Sequence, residues 1–370
     1  RFLWKQVKFP LATDASNAAV QVLKEGEVQG SDVAAHSAGV LDIRTNILAD
    51  TDALYLTAID KYGHELWRWT FLVDKLNQQT EQLSPLSSRP TYTETENDLT
   101  VKANKRTFIF SKKDGQLKGV SVDNRKISFA NGPRFIGARR ADRSLDQFYN
   151  HDDEKAKEKD RTYSEFPDAA VFTKLDVKQD GGDLIVTANY KLGNLDKAQW
   201  TINPSGDLAL DYTYNFSGVV DLMGIRFDYP EDQVISKRWL GAGPYRVWQN
   251  RIHGTQYDVW ENDYNDPIPG ETFTYPEFKG YFGDVSWMNI QTKEGTISLT
   301  NETPDAYIGV YQPRDGRDRL LYTLPESGIS VLNVIPPVRN KVNSTDLCGP
   351  SSQPKWVNGP QTGRVIFRFM

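Results

Sequence analysis

Short runs of alternating apolar and polar residues, separated by turn residues, extend through almost the whole chain. Residues 53–58 read ALYLTA and residues 65–73 read ELWRWTFLV, with the turn residues Asp60 and Gly63 between them. Alternation with a period of two predicts strands, because successive side chains of a strand point to opposite faces. Only residues 151–160 have a helix-like pattern, and that segment is charged and is predicted to be solvated. The sequence therefore predicts an all-β fold.

Composition divides the chain into two predicted domains. Residues 1–74 contain several short strand-like runs and predict a small immunoglobulin-like β-sandwich. Trp67 and Trp69 share one face of its last strand, and we expect that face in the core. Residues 75–91 are rich in Asn, Gln, Ser and Pro, which predicts a linker. From residue 92 to residue 370 strand-like runs recur without a second linker, so this part is predicted to be one large antiparallel sandwich.

Charge and cysteine content exclude several classes of partner. The chain has 44 Lys and Arg residues against 49 Asp and Glu residues, interleaved, with a net charge of -5. A nucleic-acid groove needs a sustained basic stripe, so no nucleic-acid partner is expected. No apolar run is long enough to cross a bilayer, so no membrane partner is expected. Cys348 is the only cysteine, which excludes an intramolecular disulfide, and we predict no metal site and no cofactor.

Aromatic residues are concentrated between Trp239 and Trp287, which contains four of the nine tryptophans. Such rings either fill a β core or bind the apolar C–H faces of sugars, with charged and amide groups pairing with the hydroxyls. Interspersed Arg, Asn and Glu favour the sugar interpretation, which predicts an open trough lined by these rings. The predicted carbohydrate-binding residues are Tyr245, Arg246, Trp248, Asn250, Arg251, Trp260, Tyr275, Glu277 and Lys279.

Several segments carry a family resemblance. Residues 239–244 read WLGAGP and precede a stretch rich in Tyr, Asn and Arg, while residues 131–135 read NGPRF and residues 275–277 read YPE. In their order along the chain, after an entry strand at residues 89–101, these segments resemble the C-terminal portion of family 2 glycoside hydrolases related to β-galactosidase. The resemblance covers about residue 92 to the end. It implies a supersandwich of the galactose-mutarotase-like type, preceded by an immunoglobulin-like module.

The resemblance also implies that the catalytic part lies elsewhere. Catalytic glutamates in that family belong to a (β/α)8 barrel of roughly 250 residues, which this all-β chain cannot contain. We therefore predict no catalytic residue, and we expect Asp258, Glu261 and Asp263 to accept hydrogen bonds from Arg, backbone amides or sugar hydroxyls. Because the chain begins with Arg1 rather than Met, we expect that it was cut from a longer polypeptide.

The sequence thus predicts a non-catalytic part of a glycoside hydrolase that binds carbohydrate and completes the active site in polysaccharide or oligosaccharide breakdown. Its expected partners are a saccharide ligand and the missing N-terminal catalytic domains of the same polypeptide. A periplasmic or secreted bacterial location is expected. Galactose specificity is not predicted, since residues 291–295 lack the aromatic residue that galactosidases supply from a late loop.

Two alternatives remain open at this stage. An aldose epimerase of the mutarotase type would need a histidine acid and a glutamate base in the groove, and His253 is the histidine inside the aromatic block. The other alternative is a purely structural domain that braces a multi-domain enzyme. Sugar binding that is lost when Trp248 or Tyr245 is replaced by alanine would distinguish binding from bracing.

Overall fold

In a computed structural model, the described residues are 1–73, 88–140, 163–263, 280–310, 325, 327–337 and 349–370. They are mainly strands, with two short 3-10 helices at Glu231–Gln233 and Pro350–Ser352. Within these ranges no helix is long and apolar enough to cross a bilayer. The all-β prediction is confirmed. The charged segment at residues 151–160 lies outside the described residues.

Residues 1–73, the part of the predicted first domain that the structure describes, contain a four-stranded antiparallel sheet in the order β2-β1-β3-β4. Its strands are β1 (Phe2–Lys8), β2 (Gln21–Val28), β3 (Ala53–Ile59) and β4 (Glu65–Leu72). Residues 29–52, between β2 and β3, contain no strand. The described part of this domain therefore has a single sheet, and the immunoglobulin-like sandwich stays a prediction.

The two faces of this small sheet have different surroundings. Tyr55 of β3 is buried in a cluster with Leu240 and Trp287 of the second domain. The register pairs Tyr55 with the residue after Trp69, so the indoles of Trp67 and Trp69 lie on the opposite face. They are 39% and 40% exposed. The expectation that both indoles lie in the core is wrong, because the second domain covers the other face.

The first of two large sheets in the second domain has ten strands. Eight of them form the path β21-β22-β16-β10-β8-β7-β6-β5, while β11 pairs with β10 and β9 pairs with β8. The strands are β5 (Thr91–Glu94), β6 (Asp98–Ala103), β7 (Arg106–Ser111), β8 (Leu117–Val122), β9 (Arg125–Ile127), β10 (Ala130–Arg140), β11 (Tyr163–Glu165), β16 (Leu222–Asp228), β21 (Tyr307–Gly309) and β22 (Ile329–Val334).

The other large sheet has nine strands in the order β12-β13-β14-β15-β23-β20-β19-β17-β18. Its strands are β12 (Val171–Asp180), β13 (Asp183–Lys191), β14 (Leu195–Ile202), β15 (Leu208–Val220), β17 (Val234–Gly243), β18 (Gln256–Asp263), β19 (Trp287–Thr292), β20 (Gly295–Asn301) and β23 (Lys355–Phe369). Between these strands, as far as the structure describes them, the pairings are antiparallel.

One apolar core lies between the two large sheets. Phe227 of β16 stacks on Phe129 at 4.7 Å between ring centroids and meets Phe367 of β23 edge-on at 5.3 Å. Trp200 of β14 also meets Phe227 edge-on, at 6.0 Å. Offset and edge-to-face geometries of this kind stabilise aromatic cores beyond the burial of their area. The predicted large antiparallel sandwich is confirmed, whereas the predicted domain limits at residues 74, 91 and 92 stay predictions.

Candidate functional site

The segment that follows β17, residues 244–253, crosses to the outer side of the ten-stranded sheet. Val247 exchanges two backbone hydrogen bonds with Tyr281, at 2.8 and 2.9 Å. A Cβ atom on Gly280 would collide with the carbonyl oxygen of Val247, so this close approach of the two backbones requires glycine. The segment is therefore fixed to residues 280–282 by backbone contacts.

Trp248, the central aromatic residue of the predicted sugar site, is 3% exposed. Its ring meets the ring of Tyr281 edge-on at 5.6 Å. Both belong to a second apolar cluster with Ile136 and Leu332, on the outer side of the ten-stranded sheet. This packing leaves no face of the indole available for a sugar, and the ring instead anchors the segment to the sheet.

Polar side chains fix the same segment to residues 349–353. Gln249 donates hydrogen bonds from its side-chain amide to the carbonyl oxygens of Ser351 and Gln353, at 2.8 and 2.7 Å. Asn250 donates to Ser352 at 3.3 Å. Gln249 was not among the predicted site residues, since a glutamine between Trp and Asn carries no sequence signal of an anchoring role. Asn250 and Gln249 thus hold the segment in place.

Of the remaining predicted residues in this segment, two lie at the surface. Tyr245 is 48% exposed and Arg251 is also exposed. Arg246 is only 6% exposed, with its guanidinium 5.8 Å from the centre of the Phe282 ring. Of the predicted site residues on this segment, Tyr245 and Arg251 therefore reach the surface, whereas Arg246 is buried.

The other predicted site residues lie on β18 or outside the described part. Trp260 of β18 is half-buried against the main core, and its indole nitrogen donates to the carbonyl oxygens of Gly241 and Gln256, both at 3.1 Å. The same indole packs against Gly243, the residue that immediately precedes the anchored segment. The residues of the predicted set that lie outside the described residues are Tyr275, Glu277 and Lys279.

The predicted open trough of tryptophan rings is wrong for three of its members. Trp239 is fully buried, and Trp287 is 5% exposed. Trp248 is likewise buried, in the second apolar cluster described above. The first domain covers Trp287, whose indole nitrogen donates to the carbonyl oxygen of Pro10 at 3.1 Å. Large aromatic side chains contribute most to stability when they are fully buried, and these rings fill cores.

Asp258 lies at the contact between the two domains. Its carboxylate accepts hydrogen bonds from the hydroxyl of Tyr55 at 2.7 Å and from the guanidinium of Arg68 at 2.6 Å. Burial, and secondly the charge of Asp258, raise the pKa of Tyr55 far above its ordinary value. The expectation that this carboxylate accepts hydrogen bonds from an arginine is confirmed, and its geometry is that of an inter-domain anchor.

His253 is exposed in the turn that precedes β18. No hydrogen bond or ion pair joins its ring to a carboxylate of the described residues. A ring-opening epimerase needs an acid and a base on opposite sides of one sugar, and this part of the chain does not place such a pair around His253.

A feature that sequence reasoning missed is a hollow of about 390 Å³ on the nine-stranded sheet, where β20 ends beside β23. Arg364 of β23 forms ion pairs with Asp211 and with Glu302, the latter at 2.9 Å. Burial alone would lower the pKa of Arg364, but these two carboxylates outweigh it and raise the pKa. Lys197 also lines the hollow. The residues are far apart in sequence, so no motif indicated the hollow.

Comparisons with known proteins agree with this architecture. The model of the family described as beta galactosidase small chain matches residues 102–335. Because this range is more than half of the chain, the chain belongs to the beta galactosidase small chain family. No curated protein matches it.

Two solved structures resemble the chain at low similarity. The galactose 1-epimerase from Lactobacillus acidophilus NCFM has a TM-score of 0.44 and 11% identity, over 77% of this chain and 99% of that one. The protein HI1317 has a TM-score of 0.34 and 8% identity, over 76% of this chain and 100% of that one. Neither likeness carries an argument about activity.

Proposed function

We propose that this chain is the non-catalytic, carbohydrate-binding part of a family 2 glycoside hydrolase related to β-galactosidase, and that it completes the active site of the catalytic domains. Membership of the beta galactosidase small chain family supports this proposal. The described residues also consist of antiparallel sheets, whereas the catalytic barrel of such an enzyme is built from alternating strands and helices. We assign no catalytic residue to the chain.

The observation that carries the proposal is the anchored segment at residues 244–253. Trp248 and Gln249 fix it from below, while Tyr245 and Arg251 remain at the surface. A loop held rigid before binding loses little conformational freedom on binding, which favours affinity. An exposed phenol ring suits the apolar face of a sugar, and an exposed guanidinium suits its hydroxyls.

The proposal includes the catalytic domains of the same polypeptide as the protein partner, in a periplasmic or secreted enzyme. The face of β4 that points away from the second domain supports such a contact. Trp67, Trp69 and Phe71 lie on it at 39%, 40% and 50% exposure. Contiguous exposed apolar side chains of this kind are typical of protein interfaces.

Calorimetric titration with galactose-containing oligosaccharides tests the sugar-binding part of the proposal. We expect Tyr245→Ala and Arg251→Ala each to weaken binding about tenfold, equivalent to ~1.4 kcal/mol. Tyr62→Ala is the matched control, because Tyr62 is a 72% exposed tyrosine of the first domain, and it should leave binding unchanged. Binding that is unaffected by both segment variants would refute the assignment of these residues.

Hydrolysis assays test the non-catalytic part. The purified chain should not cleave nitrophenyl β-galactosides, since cleavage needs an acid and a second carboxylate across the glycosidic bond. Cleavage that copurifies with the chain, and that does not come from a contaminating enzyme, would show that the non-catalytic assignment is wrong. Addition of the barrel-containing domains should restore turnover, and Tyr245→Ala should then lower it.

A further inference from the structure

β15 and β23 pair with each other along the whole length of β15 without a register shift. Val365, Phe367 and Phe369 of β23 are buried in the main core, so the even-numbered residues of this strand face outward. We call the outward residues from Trp356 to Arg364 of β23 and from Asp211 to Val219 of β15 the outer strip. Its cross-strand pairs are Trp356 with Val219, Asn358 with Ser217, Pro360 with Asn215, Thr362 with Thr213, and Arg364 with Asp211.

Trp356, at one end of the outer strip, is 70% exposed. It is the most exposed of the nine tryptophans in the chain. A single exposed apolar residue is common on protein surfaces, and exposure alone does not indicate a site. What distinguishes Trp356 is its position on a regular, antiparallel sheet face, which holds the strand that carries the ring in a fixed orientation.

The middle of the outer strip consists of hydroxyl and amide side chains. Ser217 donates from its hydroxyl to Oδ1 of Asn358 at 2.7 Å. This bond leaves the amide nitrogen of Asn358 without a hydrogen bond to any described residue. Thr213 and Thr362 face each other further along the strands. These groups both donate and accept hydrogen bonds, as the hydroxyls of a sugar chain require.

The far end of the outer strip opens into the hollow of about 390 Å³. Its four charged side chains, Lys197, Asp211, Glu302 and Arg364, are two cations and two anions, so their charges sum to zero. A phosphorylated or strongly acidic ligand would need an excess of positive charge. The balance therefore favours a neutral ligand whose hydroxyls pair with both carboxylates and cationic groups.

The dimensions of the outer strip favour a chain over a single ring. Trp356 and Arg364 are eight residues apart on one strand, which corresponds to about 27 Å at the rise of an antiparallel strand. That length is several times the size of one pyranose ring. A monosaccharide could contact the indole or the hollow, but only an oligosaccharide could contact both.

We propose that the outer strip of β15 and β23 is a second saccharide-binding surface, which takes a neutral oligosaccharide along the strands. The indole of Trp356 stacks on the C–H face of one sugar, Asn358 and the facing threonines bind hydroxyls, and the hollow around Arg364 binds one end of the chain. This surface uses none of the residues at 244–253. It therefore stands or falls independently of the sugar site proposed there.

The same reasoning disfavours a protein partner at the outer strip. Its exposed apolar area is the indole of Trp356 with its neighbour Val219, and the remaining outward side chains are polar or charged apart from Pro360. Protein interfaces have a contiguous apolar centre. The β4 face with Trp67, Trp69 and Phe71 has that character, and the outer strip does not.

Calorimetric titration of the full chain with neutral galacto- and gluco-oligosaccharides of one to six units tests the proposal. We expect affinity to rise with chain length. Trp356→Ala should weaken binding of the longer chains about tenfold or more, whereas Trp356→Phe, which keeps an aromatic face, should retain most of the affinity. Asp211→Asn should weaken only the longer chains, because a short sugar on Trp356 does not reach the hollow.

Trp69→Ala is the matched control, since it removes a 40% exposed indole from the first domain, and it should leave saccharide binding unchanged. Equal thermal unfolding of Trp356→Ala and the native chain excludes misfolding as the cause of a loss. Absence of saccharide binding would overturn the proposal, as would binding that Trp356→Ala leaves intact. Self-association of the chain that Trp356→Ala abolishes, without saccharide binding, would also overturn it.

The two sugar sites can be separated in the same titrations. If Trp356→Ala removes long-chain binding while Tyr245→Ala has no effect, the outer strip is a saccharide site and the anchored segment is not. If Tyr245→Ala weakens binding and Trp356→Ala does not, the outer-strip proposal is wrong and the proposed function is supported. A double variant that loses more affinity than either single variant supports both sites.

Discussion

Trp248 and Trp356 show how differently the same side chain is used in two regions of this molecule. Trp248 lies in a stretch dense in aromatic and charged residues, yet it is 3% exposed and packs edge-on against Tyr281. Trp356 lies in a stretch of Gly, Asn and Pro with no other aromatic nearby, and it is 70% exposed. The density of aromatic residues along the sequence therefore did not indicate which rings reach solvent.

The difference has a physical cause in the layers beneath each ring. Trp248 sits over Ile136 and Leu332, which point outward from the ten-stranded sheet and need an apolar cover. Trp356 sits on the outward side of β23, whose other side supplies Val365 and Phe367 to the main core. The inward side chains of β23 already form part of the core, so its outward side chains are available for another role.

The largest expected effect that tests this comparison is on the free energy of unfolding. Trp248→Ala should lower the free energy of unfolding by ~3–5 kcal/mol, because it removes a buried indole and leaves a cavity. Trp356→Ala should change it by no more than ~0.5 kcal/mol, as expected for an exposed position. Urea unfolding followed by circular dichroism measures both. Equal losses in the two variants would mean that Trp356 also has a structural role.

A second comparison sets the two domains against each other, and Asp258 lies at their contact. Asp258→Asn should lower the free energy of unfolding by ~1.5–3 kcal/mol, since it weakens hydrogen bonds to a charged group at a largely buried contact. Arg68 and Tyr55 would lose their charged acceptor. Differential scanning calorimetry of the variant should show the first domain unfolding at a lower temperature.

Asp263→Asn is the control for that measurement, because Asp263 is an exposed carboxylate at the end of the same strand, β18. It should leave the calorimetric profile unchanged. A shift of equal size in both variants would attribute the effect to net charge rather than to the inter-domain contact.

Sequence reasoning predicted the fold well because alternation is a local property. The strands from Ala53–Ile59 and Glu65–Leu72 onward follow directly from period-two patterning. Which face of a strand becomes covered is not local. Trp67 and Trp69 were expected in the core, but the second domain packs on the Tyr55 side instead. The assignment of faces thus required the tertiary structure.

The candidate site was predicted only in part for the same reason. The prediction located the segment that carries Tyr245 and Arg251, since its motif and its composition are continuous in sequence. The anchoring role of Gln249 depends on Ser351 and Gln353, about one hundred positions further along the chain. The hollow beside Arg364 likewise combines residues from three strands and a turn, and no spacing rule brings these together.

The smallest expected effect tests whether the outer strip rests on a closed core. Tyr212 alternates with the outward residues Asp211 and Thr213 on β15 and is 2% exposed. Burial raises the pKa of Tyr212 to about 12, against an unfolded value of about 10. A folded pKa above the unfolded one gives stability that is present below pH 10 and is lost as the pH rises through 12.

Tyr212→Phe removes this proton, so its stability relative to the native chain should improve by ~1 kcal/mol between pH 9 and pH 11. Urea unfolding at both pH values measures the change, with Tyr62→Phe as the control for loss of an exposed phenol hydroxyl. A stability difference between variant and native chain that stays constant with pH would mean that the hydroxyl of Tyr212 is in contact with water. The core beneath this end of the strip would then be loosely packed. A pH-dependent gain would instead show that Tyr212 is sealed in the core beneath this part of the strip.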